Sequence, residues 1–397
     1  MVDTSNKKVQ IASNTVYTIA GALVLNGVLQ LLVYPQLNAR MGAEANGTVL
    51  YIMGLVSILG PSIGQALNNA RLVMRRECEV KNGDYNTLLI LFGAIGTAVA
   101  LIISRNSIKG IFFYVMTAAL IMITIFRYYG DVEYRLTLNY KKYFIYYLLI
   151  SVGYAAGFAV YLMHGSWFFI FLIGEAAAFA YLLLTGSVYN KFFVRSEYFA
   201  LAMKRGSILV LSYLVTNTTL NIDRLVLKNT LGGTAVTQYY VVSLIGKTLV
   251  LFIAPINTII ISYLTREKAA LGRKRFLTFA GAGILVSFIF FLCCQIATPI
   301  FIRLFYPDLY ESTRQLVTVV NISQILSMLS AYLFILVLTF TGEKWQLTLQ
   351  TAHLIVLCLL IFITIGSGSL LTFSTAVLAA NALRICAVLV LGFTKSK

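Results

Sequence analysis

YPQLNARMGAEANGTVLY, residues 34–51, and NIDRLVLKNTLGGTAVTQYY, residues 221–240, read as two copies of one corner. In both, a leucine (Leu37, Leu227) is followed five positions on by a glycine (Gly42, Gly232), and the next apolar stretch begins beside Tyr51 or beside Tyr239 and Tyr240. That next stretch carries a proline in each case, Pro61 and Pro255. The corners follow the first and the seventh apolar stretch of the chain. Chance likeness between short apolar segments is the competing account, but the matching places in the count favour duplication. Copies offset by six helices share an orientation and are related by an axis along the membrane normal.

The count rests on apolar stretches of about 20 residues, each long enough to cross a bilayer. Twelve are expected, at 11–34, 46–69, 86–104, 111–129, 143–163, 166–185, 207–228, 239–262, 277–304, 316–340, 347–366 and 369–392. Composition agrees: 59% of residues are hydrophobic, 11% are charged, and the mean hydropathy is +0.85. The expected fold is an all-α polytopic membrane protein, two six-helix lobes with pseudo-two-fold symmetry. The lobes would cover 1–185 and 207–397, joined by a basic linker at 186–206.

Lysine and arginine crowd into alternate connections. One side collects Lys7, Lys8, Arg71, Arg75, Arg76, Lys81, Arg127, Arg135, Lys141, Lys142, Lys191, Arg195, Lys204, Arg205, Arg266, Lys268, Arg273, Lys274, Arg275, Lys344, Lys395 and Lys397. The other has Arg40, Arg105, Lys109, Lys228, Arg303 and Arg314. This split of 22 against 6 over short loops places both termini in the cytoplasm of a bacterial cytoplasmic (inner) membrane. The net charge of +17 is thereby a topology and lipid-headgroup signal, and nucleic acid is discounted.

The loops exclude much. No phosphate-binding glycine loop, nucleophile elbow or nucleotide-hydrolysing module is present, and the two histidines, His164 and His353, stand far apart. Cys78, Cys293, Cys294, Cys358 and Cys386 have no metal-ligand spacing and read as packing residues. The first apolar stretch is too long for a cleavable signal and runs into a polar turn expected at Pro35-Gln36. A transporter, not an enzyme, is the expected class, with no metal and no cofactor.

Charges inside spans are costly and mark function by default. They are Glu175, Asp223, Arg224, Lys247 and Arg384. Asn217, Asn221, Arg224 and Lys228 form one stripe by helical period, and Tyr240, Ser243 and Lys247 another. Arg224 and Lys247 fall about 6 and 12 Å below the outer surface, where two cations could bind an anionic group such as phosphate. The rival account of Arg224 is snorkelling to the interface, and that of Lys247 an internal ion pair with Asp223. Asp223 points away from the Arg224 stripe. Arg384 lies in the inner half, lining a cavity or snorkelling. Glu175, flanked by small residues in GEAAAFA, is a candidate site for H+ or Na+ coupling, as is Asp223; a neutral carboxyl bonded to a neighbouring helix is the alternative. Asn26 and Gln30 on the first helix, and Gln346, Gln350 and His353 on the eleventh, suit either a wet cavity for sugar hydroxyls or interhelical glue.

The Asn-x-Asp-Arg of 221–224, the Leu-Gly of 231–232, Tyr239-Tyr240, Lys247, the Pro255 region, and the Tyr-Pro-x-Leu and Arg-x-Gly of 34–42 together resemble a family. It is the polysaccharide (O-antigen/capsule repeat-unit) flippase family of the multidrug/oligosaccharidyl-lipid/polysaccharide exporter superfamily. The likeness is diffuse and spans most of the chain. It implies two lobes around a central cavity, alternating access, and undecaprenyl-pyrophosphate-linked oligosaccharide as cargo. It also implies membrane lipids, a polysaccharide polymerase and chain-length machinery as partners. Cations lining the cavity would match Arg224 and Lys247, with Arg384 a third; Asn26, Gln30, Asn217, Asn221, Gln350 and His353 would be polar lining. The chain is shorter than many relatives, so a lipid groove built from two extra C-terminal helices is not expected. Two rivals stand beside this: a drug/cation antiporter of the same architecture, which would want acidic residues at its centre, and a membrane glycan polymerase or ligase, which would want larger outer loops.

Overall fold

The computed structural model describes residues 4–264, 272–338, 341 and 344–395, with side chains described outside 4–12, 249–264, 338, 344 and 346–347. The described residues are helical and contain no strand. We label the long helices α1 (4–41), α2 (43–74), α3 (Asn82–Ser104), α4 (Ile111–Gly130), α5 (Tyr140–His164), α6 (Phe168–Thr185), α7 (Phe199–Thr230), α8 (Gly232–Leu264), α9 (Arg273–Phe305), α10 (Val317–Leu338), α11 (Lys344–Thr364) and α12 (Leu370–Lys395). Ten described segments are long and apolar enough to cross a membrane, and the first, Ser13–Met74, runs for 62 residues. That is about three times the roughly 20 residues one crossing needs, ample for two. Dividing it at Gly42 and adding α8 gives twelve, each close to its expected place. Pro255 falls in the part of α8 whose side chains lie outside the described set, as does the side chain of Gln346; most of the expected 263–276 loop is outside the described residues.

The first corner falls at Gly42, not at the expected Pro35-Gln36 turn. Pro35 follows a π-helical segment, Val28–Val33. A proline removes one N–H and crowds the carbonyl four residues back, and a widened turn takes up that misfit without ending the helix. Pro61 sits the same way inside a second π segment, Gly60–Gln65. Gly42 itself has φ 80° and ψ 166°, and Gly232, its counterpart, has φ 87°. Side chains disfavour that backbone region, so each corner needs glycine there.

The chain divides into two compact units, Met1–Gly42 with Thr48–Leu225, and Ala43–Gly47 with Val226–Lys397. The division therefore runs inside α7, whereas the sequence suggests the 186–206 linker. The side chains give the reason. Along α7, Tyr213 accepts from Asn69 Nδ2 (2.6 Å), Asn217 Nδ2 donates to Ser62 Oγ (3.0 Å), and the Arg224 stem lies against Gly54. All three partners are on α2, so α7 up to Leu225 docks on the first unit.

In the second unit α10 is the central helix. Leu333, Leu336 and Val337 pack with Phe276 and Ala280 of α9 and with Ile385, Val388 and Leu391 of α12. Asn381 Nδ2 donates to the carbonyl (3.1 Å) and hydroxyl (3.0 Å) of Ser323, tying α12 to α10. Asn321 accepts from Thr298 and donates to Gln295 of α9. Lipid offers no hydrophobic drive between helices, so such packing and hydrogen bonds hold the bundle together.

The short piece Ala43–Gly47 meets the start of α8 in a reciprocal contact. A Cβ at Gly47 would fall 1.9 Å from the Gly233 carbonyl oxygen, and Thr237 Oγ1 donates to the Ala43 carbonyl at 2.7 Å. Gly47 and Thr237 are each five residues past their corner glycine; Ala43 and Gly233 are each one past. Residue i of one copy meets j of the other, and j meets i, which is the signature of a two-fold relation.

Candidate functional site

The α7 stripe is spread over two environments. Asn217 binds Ser62, and Asn221 Nδ2 returns to the Asn217 carbonyl of its own helix (3.0 Å). Arg224 Cδ lies 3.3 Å from where a Gly54 Cβ would be, and Tyr34 is close enough to feel its charge. Asp223, 7% exposed, accepts from the Arg224 backbone N–H (2.9 Å). Lys228 belongs to the second unit, where Nζ binds Glu44 Oε1 at 2.8 Å. Lys247, also in that unit, places Nζ 6.0 Å from the Tyr239 ring centre.

Polar lining residues separate likewise. On α1, Asn26 Nδ2 donates to the Ala22 carbonyl (2.8 Å) and Gln30 Nε2 to Asn26 Oδ1 (3.4 Å), both along their own helix. On α11, Gln350 is half-buried and His353 is 6% exposed, with Arg384 of α12 beside it.

Glu175 is buried at 2% exposure and is paired. Arg127 Nε donates to Oε2 (2.8 Å) and Nη2 to Oε1 (3.3 Å), and Tyr154 OH donates to Oε1 (2.9 Å). Arg127 is 4% exposed on α4. Arg127 is thus not a loop charge, as the charge count has it, but a buried cation within the expected fourth span, 111–129. A second cluster sits one turn on. Asp131, 1% exposed, accepts from Asn68 Nδ2 and Tyr147 OH; Arg135 Nη1 then binds Asn68 and Asn69 Oδ1, each at 3.1 Å. Nothing in the local sequence marks Asp131 as buried.

Glu44 was also missed. At the corner, its carboxylate accepts from the N–H groups of Gly233 (2.9 Å) and Thr234 (2.8 Å), from Thr234 Oγ1 (3.2 Å) and from Lys228. It closes the first turn of α8, where unpaired N–H groups and the helix dipole favour an anion. The side chain is 61% exposed and lies in the turn, outside the apolar stretches. Partial burial would raise its pKa, but the Lys228 and backbone hydrogen bonds outweigh that and hold it down at about 2. Among the described side chains, no three His, Cys, Asp or Glu converge as metal ligands.

No protein-family model and no curated protein matches the sequence. Solved structures do. The lipid II flippase MurJ, in an inward closed conformation, aligns with TM-score 0.71 and 14% identity over 95% of this chain and 87% of that one. An inward-facing multidrug resistance MATE family transporter of the MOP superfamily aligns with TM-score 0.62 and 13% identity over 96% and 94%. A MOP superfamily transporter from Pyrococcus furiosus aligns with TM-score 0.62 and 14% identity over 97% and 94%. This chain has the MOP transporter fold. At such identities the likeness extends to the fold alone; it covers flippases and drug transporters equally.

Proposed function

We propose that this chain is a flippase carrying undecaprenyl-pyrophosphate-linked oligosaccharide from the cytoplasmic to the outer leaflet by alternating access, for O-antigen, capsule or a related surface polysaccharide. One observation carries the reading: α8–α12 contain no Asp or Glu, yet hold Lys247 and Arg384. Membrane-embedded helices with cations and no acid of their own suit an anionic cargo. Arg224, Lys247 and Arg384 are assigned to the pyrophosphate; Asn26, Gln30, Asn217, Asn221, Gln350 and His353 to sugar hydroxyls. The MurJ likeness supports a lipid-linked substrate. The likeness to MATE transporters supports a drug/cation antiporter as strongly at the level of fold, and the charge of the second unit is what weighs against it. Arg127 already neutralises Glu175, which favours Asp223 for any coupling to H+ or Na+.

Lys247→Ala and Arg224→Ala should each abolish glycan export while protein still accumulates, with lipid-linked oligosaccharide trapped in the inner leaflet; Lys247→Arg should be milder. Normal export in the single and double variants would overturn the reading. Placement in the inner membrane with cytoplasmic termini is tested by cysteine labelling. Loops 71–85, 131–142 and 186–206 should label from inside, and 36–45 and 305–315 from outside.

A further inference from the structure

Arg384 lies about midway along α12, on the helix face that carries Ala380 and Val388, both fully buried. The His353 ring on α11 lies beside the Ala380 backbone, one turn from Arg384, and feels the guanidinium charge. Its Nδ1 is buried without a partner among the described residues. Further along the same faces the surroundings are apolar: Leu357 and Ile361 on α11, Val388 and Leu391 on α12, all buried. Among the described residues Arg384 makes no hydrogen bond and no ion pair. The long helices α8–α12 have no carboxylate to offer; the carboxylates of the unit stand in its connections and at its corner, such as Asp308, Glu311 and Glu44. Snorkelling does not resolve this. About 16 Å of helix separates Arg384 from Lys395, more than a guanidinium reaches. A half-buried cation beside a buried polar nitrogen, neither of them answered among the described residues, calls for an anion.

We propose that Arg384 and His353 hold an oxyanion of the phosphate type within the second unit. The guanidinium presents two parallel N–H donors that match two oxygens of a phosphate. Beside it, the His353 Nδ1 accepts from a P–OH, or donates to a P–O⁻ once it has taken up a proton. The phosphate comes either from an anionic lipid headgroup or from a soluble or cargo-borne phosphate. This deepens the transport reading at one of its three cations and rests on it only for which phosphate the cell supplies. Binding is therefore measured without transport.

The purified full chain in a phosphate-free detergent is challenged with inorganic phosphate, and separately with phosphatidylglycerol, followed by phosphorus NMR and native mass spectrometry. Saturable binding of phosphate points to the soluble source, retention of phosphatidylglycerol to the headgroup, and both together support the site. Arg384→Gln should weaken the binding seen by about tenfold or more, as expected for loss of a charged donor. Arg384→Lys should retain part of it, and His353→Ala should weaken it less. Gel filtration reports whether each variant is folded; if Arg384→Gln is not, wild type, Arg384→Lys and His353→Ala decide. The proposal is overturned if wild type binds neither probe, or if every folded variant binds as wild type does. Lost binding with normal export in Arg384→Gln would remove Arg384 from the transport reading and leave this site standing; intact binding with lost export would do the reverse.

Discussion

The two units use one plan and treat charge in opposite ways. In the first, buried charges answer each other: Arg127 with Glu175, and Asp131 held by Asn68 and Tyr147 beside Arg135. In the second, the long helices α8–α12 carry no carboxylate, and Arg384 has no partner among the described residues. A buried pair fixes geometry, because neither charge can leave without stranding the other. A cation without a fixed partner is available for binding. The first unit reads as the rigid half and the second as the half whose electrostatics are completed from outside.

Breaking the pair is the sharpest way to test that contrast. Glu175→Gln strands Arg127 among apolar and tyrosine side chains, and should destabilise the protein by about 3–5 kcal/mol. The double variant Arg127→Met with Glu175→Leu should recover most of that loss, since it removes both charges together. Thermal unfolding in detergent and accumulation in the membrane measure both. A stable Glu175→Gln whose transport loses its pH or sodium dependence would instead make Glu175 a coupling group, and the first unit would no longer be the rigid one.

The corners were legible because glycine is the one residue that tolerates their backbone, and the chain shows it twice, at Gly42 and Gly232. Helix number was legible from the length a bilayer demands. The charge pairing was not. Arg127 and Glu175 are 48 residues apart, and only the packing of α4 against α6 brings them within 2.8 Å. Asp131 looked like a loop residue because burial at a helix end leaves no period in the sequence. Gly47 was hidden for a related reason, since its role is set by Gly233, far along the chain. Gly47→Ala should push the two corners apart and cost about 1–3 kcal/mol, the range for overpacking a tight contact. Thermal unfolding against Gly27→Ala, a position with nothing within 4 Å of the added Cβ, gives the control. Equal stabilities would mean that the reciprocal contact holds nothing together.

The smallest effect lies where the copies differ. Glu44 and Thr234 are both two residues past their corner glycine and touch each other, but only the first is acidic. The carboxylate caps α8 and holds Lys228, yet it is mostly in water, so its contribution should be about 1 kcal/mol or less. Its sign with pH is fixed by the lowered pKa. Hydrogen bonds that favour the ionised form stabilise the fold fully above the ordinary value of 4.5, and that stabilisation fades as pH falls towards about 2. Glu44→Gln should therefore unfold slightly earlier than wild type near neutral pH, and the gap should close on acidification. High salt should narrow the gap at neutral pH as well, because the Lys228 attraction is partly exposed. A gap that persists unchanged at low pH would mean that Glu44 acts by shape rather than charge, and that the two copies of the corner are electrostatically equivalent after all.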